Sequence, residues 1–176
     1  NLHACHEFYK TCKSEGINPI LGSEVFVQSE SDEKLKHKLV LLAKSWEGYK
    51  NLIALASRAS LDNPGQIPAV NIEDLREFST DIVALSGPIS GEIPYYILSG
   101  KSDEQILDRI KLYQDIFGEE NYFLELLYHH DIPKQQLVTD KLVEIYNNYG
   151  IPLVACQNSY YIEKDDKLTQ DVIMAL

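Results

Sequence analysis

The chain has 176 residues, 44% of them apolar, and a formal net charge of −11. This size suits a single domain, residues 1–176, with a real core. The charge argues against a broad phosphate-gripping surface, since nucleic-acid affinity rests largely on Lys and Arg neutralising phosphates. No apolar run approaches the roughly 20 residues of a membrane-spanning helix. The opening residues Asn1–Glu7 lack a signal-peptide profile. They read as the interior of a helix without an initiator Met, so the chain is expected to be a piece of a longer one. Cys5, Cys12 and Cys156 include no C-x-x-C pair, which suits a reducing, cytoplasmic compartment.

Helical and strand patterns alternate. Leu2, Cys5, Tyr9 and Cys12 fall on one face of a first helix that Gly16 ends. Residues 19–28 read as a strand, residues 29–36 as a charged turn, and Leu39–Ala43 as a short apolar strand. Trp46–Ala59 is helical, with Tyr49, Leu52, Ile53 and Ala56 predicted inward. A Pro- and Gly-bearing loop over 61–68 precedes Asn71, a predicted N-cap with Glu73 and Asp74 in the first turn. Asp81–Leu85 is a strand. Helices follow over 92–98 and 102–117, the second aligning Ile106, Ile110, Tyr113 and Phe117. Then come a strand over 121–127 and a helix over 134–149 with Val138, Leu142, Ile145 and Tyr149 inward. A strand over 151–155 and a helix over 165–176 complete the chain. This alternation predicts an α/β fold of parallel strands joined by crossovers, and the continuously apolar strands should be covered on both faces. No glycine-rich nucleotide-binding motif is present.

In parallel sheets chemistry gathers at the C-terminal strand ends. Those ends carry Ser86-Gly87-Pro88, Tyr128 to Asp131, and Cys156 to Tyr160. His129 and His130 are the densest pair of ligand atoms, but adjacent strand residues point to opposite faces. His3 and His6, with Glu7 beside them, lack a visible third and fourth metal ligand and read as a solvated helix face. Glu24 is the sharper candidate, because a carboxylate within a strand is rare unless paired or metal-bound. The Tyr95-Tyr96 and Tyr160-Tyr161 pairs read as core packing rather than base stacking, given the acidic surroundings. No catalytic residue declares itself.

Several stretches resemble, in order and spacing, the PHP (polymerase and histidinol phosphatase) domain of the bacterial DNA polymerase III alpha subunit. Phe8-Tyr9-Lys10 through Gly16-Ile17-Asn18-Pro19-Ile20-Leu21-Gly22-Ser23-Glu24-Val25 is one. Leu39–Lys44 followed by Glu47-Gly48-Tyr49-Lys50-Asn51-Leu52 is another. Ala84–Gly87, Gly91–Pro94, Tyr122–Leu126 and Gly150–Ala155 extend the set over nearly the whole chain. The resemblance implies a distorted (β/α)7-type barrel with its N-terminal strand missing from this chain. In active members a His, Asp, Glu and Cys cluster binds metals that activate water for phosphoester hydrolysis.

The resemblance places the family's first metal loops, with their His-x-His, before this sequence; of the five metal-site positions it implies within it, Glu24, Lys38, Pro88, Asn158 and Tyr160, only Glu24 keeps a ligand residue. Lysine has no acceptor at neutral pH, and proline has no side-chain ligand atom. The implied reading is a catalytically inert PHP domain inside a DNA-directed DNA polymerase. It would brace the rest of the polymerase chain and dock a proofreading exonuclease. No cofactor is expected in this segment; magnesium would serve the parent's palm domain, and DNA would be held by the parent. An alternative is an active metal-dependent phosphoesterase or 3′–5′ exonuclease, holding zinc or manganese with His37, His129 and His130 compensating. A further alternative is a free-standing α/β scaffold unrelated to replication. The inert reading carries one geometric expectation: Lys38 meets Glu24 as a buried pair, whose disruption would cost ~3–5 kcal/mol.

Overall fold

One five-stranded sheet, in the spatial order β1-β2-β3-β4-β5, organises the computed structural model. The structure describes residues 2, 4–32, 34–62, 67–128, 132–157, 159 and 161–174. Helix α1 (Cys5–Ser14) leads into β1 (Gly22–Gln28) and β2 (Lys36–Ala43). Helices α2 (Trp46–Asp62) and α3 (Ile72–Glu77) precede β3 (Ile82–Leu85). Helices α4 (Glu92–Leu98) and α5 (Asp103–Phe117) precede β4 (Tyr122–Leu127), and α6 (Gln135–Tyr149) precedes β5 (Leu153–Cys156). A short 3-10 turn then enters α7 (Lys167–Met174).

The sheet is mixed, which corrects the all-parallel expectation. β3, β4 and β5 run parallel, but β2 is antiparallel to both β1 and β3. The reason lies in the connections. β1 and β2 are joined by the short turn that follows Gln28, too short for the crossover that a parallel pair requires. The α2–α3 connection then returns the chain to β3 in the opposite sense.

Ladder partners share a face, so the register sorts the side chains. Val25, Val27, Leu39, Leu41, Ala84, Tyr122 and Leu124 lie on one face, buried with Leu52, Leu55, Leu75, Ile93, Ile106, Ile110 and Leu142 of the helices. The other face carries Glu24, Phe26, Lys38, Val40, Leu42 and Val83, none of them fully covered. The helices therefore cover one side of the sheet, and the strands are not sealed on both. β1 and β5 are the edges, and the sheet does not close on itself.

Local chemistry sets the helix starts. The Asn71 side chain accepts the Asp74 N–H at 2.7 Å, and the Asp74 carboxylate accepts the Asn71 N–H at 3.0 Å, a reciprocal capping box. Ser102 and Gln105 repeat the device at α5. Gly48 lets α2 approach β3, because a Cβ there would stand 2.1 Å from the Asp81 carbonyl oxygen. The inward face of α2 is Gly48, Leu52, Leu55 and Ala59, rotated from the expected one. Tyr149 of α6 is likewise exposed rather than inward, as is Tyr9 of α1.

Candidate functional site on the open sheet face

Glu24 of β1 and Lys38 of β2 are diagonal neighbours across the antiparallel ladder, since Glu24 faces Val40 and Lys38 faces Phe26. Lys38 Nζ donates to Glu24 Oε2 at 2.9 Å. The pair forms as the sequence suggests, but its side chains keep 29% and 40% exposure, so it is not a buried pair. The correction has a simple cause: both residues sit on the sheet face turned away from the main core, where Phe26, Val40 and Leu42 around them are only partly covered.

The main chain around this pair is tightly fixed. The Lys38 N–H donates to the Ser90 carbonyl at 3.1 Å. Gly87, in the left-handed region at φ 85°, lies so close that a Cβ would meet the Lys38 carbonyl oxygen at 2.4 Å. Pro88 follows it, and its carbonyl accepts the Gly91 N–H at 2.7 Å.

Sequence reasoning passed over Glu125. This residue shares the open face with Leu85 and Phe123, near the C-terminal end of β4, yet only 6% of its surface is exposed. The Ser86 hydroxyl oxygen accepts the Glu125 backbone N–H at 2.9 Å. Burial pushes the Glu125 carboxyl pKa up, hydrogen bonding from the Cys156 thiol pulls it down, the Glu24 charge raises it, and the Gly87 N–H lowers it; the net shift is upward. Among the described residues, no donor meets Oε2 in hydrogen-bond geometry. Cys156 is pushed up to about 11 by burial and then by the Glu125 charge and hydrogen bond, so the thiol stays protonated. The signal that could have revealed Glu125 is the one that flagged Glu24: a carboxylate inside an apolar strand.

His37 does not join this group. It follows the alternation of β2 to the helix-covered face, where it is 3% exposed and stacks at 4.8 Å, tilted, on Tyr95. Its ladder partner is Val27, which places it on the opposite face of the sheet from Glu24. It borders instead a buried polar network. The Tyr113 hydroxyl donates to Glu92 Oε2 at 2.7 Å, and Arg109 Nε lies 2.7 Å from the same oxygen. The N–H axis of Arg109 is off line, so that contact is an ion pair more than a directed hydrogen bond. Arg109 also reaches Glu30 in the turn between β1 and β2. Burial lowers the His37 pKa, Glu92 raises it and Arg109 lowers it, leaving it below the usual histidine value.

His129, His130, Asn158 and Tyr160 lie outside the described residues, as does His3. Among the described residues no group of three or more His, Cys, Asp or Glu side chains is arranged to hold a metal ion. No helix among them is long and apolar enough to cross a membrane.

The PHP domain family matches residues 1–129, and the chain belongs to that family. Its relatives include the DNA polymerase III subunit alpha of Thermus aquaticus, 36% identical over 187 residues and covering 100% of this chain and 15% of that protein. The subunit alpha of Treponema pallidum is 32% identical, and that of Borreliella burgdorferi 34%; each comparison covers 100% of this chain and 16% of the relative. The chain thus spans about one sixth of the length of the relatives it matches.

Proposed function

We propose that this chain is the PHP domain of a bacterial replicative DNA polymerase and that its metal-dependent hydrolase chemistry has been lost. The observation that carries the reading is the Lys38 ammonium 2.9 Å from Glu24. A cation stands beside the ligand carboxylate retained at Glu24, and Lys38 offers a metal no lone pair while protonated. Pro88 adds no donor at the next family position. A multi-metal site does not survive such losses, because each ligand both holds and tunes its ion.

On this reading the parent chain adds deoxynucleotides with magnesium held by palm-domain carboxylates, in the cytoplasm. The present domain braces that polymerase and offers a surface to a proofreading exonuclease. The open sheet would be completed into the family's barrel by strands outside these residues. DNA is held elsewhere, consistent with the net charge of −11.

The test is elemental analysis of the purified chain and of the full-length polymerase, paired with a 3′-end hydrolysis assay in zinc and in manganese. The reading expects no stoichiometric metal bound by this domain and no hydrolysis that a Glu24→Ala change abolishes. Two or three metals per chain, or Glu24-dependent hydrolysis, would overturn it in favour of an active phosphoesterase.

A further inference from the structure

We draw no further inference here: the strongest candidate, the apolar groove along the outer flank of α2 lined by Tyr9 of α1 and by Trp46, Tyr49 and Ile53, lies on a chain that spans about one sixth of the length of its relatives, and nothing in the structure shows what covers it.

Discussion

The Lys38 ammonium touches the Glu24 carboxylate at 2.9 Å while about a third of each side chain remains in water. Water screens that attraction and would solvate either partner left alone. Exposed pairs contribute ~0.2–1 kcal/mol in double-mutant cycles. The expected coupling between Glu24→Gln and Lys38→Met in urea denaturation is therefore below about 1 kcal/mol, and it should shrink in high salt. A coupling near ~3 kcal/mol would mean that the pair is desolvated in solution.

Glu92 behaves differently because its partner is enclosed. Only 11% of the Arg109 side chain is exposed, against 5% for Glu92. Burial alone would lower the Arg109 pKa; the close contact and charge of Glu92, with the Glu30 hydrogen bond, outweigh it and raise it. Glu92→Ala strands the guanidinium with Glu30 and removes the acceptor of the Tyr113 hydroxyl. The expected cost in equilibrium unfolding is ~3–5 kcal/mol, several times that of Lys38→Met. Equal costs would contradict the difference in burial.

His37 should make the fold sensitive to mild acid. Its pKa is lowered from 6.5 in the folded chain, first by burial, so the unfolded chain binds the proton more readily. Stability is then fully present above the unfolded value near 6.5 and falls as pH drops through that value toward the folded pKa. Urea midpoints measured from pH 7.5 to pH 5 should decline more steeply for the wild type than for His37→Gln. Parallel curves would show that His37 is not the responsible group.

Glu125 has the opposite sign. Its folded pKa is raised above 4.5, chiefly by burial, so the folded chain holds the proton more tightly than the unfolded one. Its ionisation opposes folding as pH rises through the folded value. Glu125→Gln keeps the shape without the charge. It should be neutral or stabilising at pH 7, with that advantage fading toward pH 4, as thermal unfolding at the two pH values would reveal. Destabilisation at pH 7 alone would indicate that the carboxylate is ionised and well paired.

Local signals carried much of the fold, and long-range pairings did not. Asn71 with Asp74 announced α3, and Ile106, Ile110, Tyr113 and Phe117 gave the buried face of α5. The inward face of α2 was ambiguous because apolar residues line two flanks between Trp46 and Leu61, and periodicity cannot choose between them. Strand direction was missed because periodicity carries no information about direction. The Glu24–Lys38 contact was legible from the resemblance, but its exposure depended on the open face. The Glu92–Arg109 network was not legible: both residues look like surface charges until two helices bring them under the β1–β2 turn. Glu125 was legible in principle, as a charge in the apolar run Tyr122–Leu127.

The backbone beside Glu24 is held by contacts that ignore the side chains mounted on it. The Lys38 N–H binds the Ser90 carbonyl, the Ser86 N–H binds the Phe123 carbonyl, and Gly87 rests against the Lys38 carbonyl. None of these bonds involves the side chain at position 38 or 88. Scaffold and chemistry are therefore separable here. Those positions can drift through many residue types while the frame keeps its shape, and a designer could fit new donor atoms there without first rebuilding the strands.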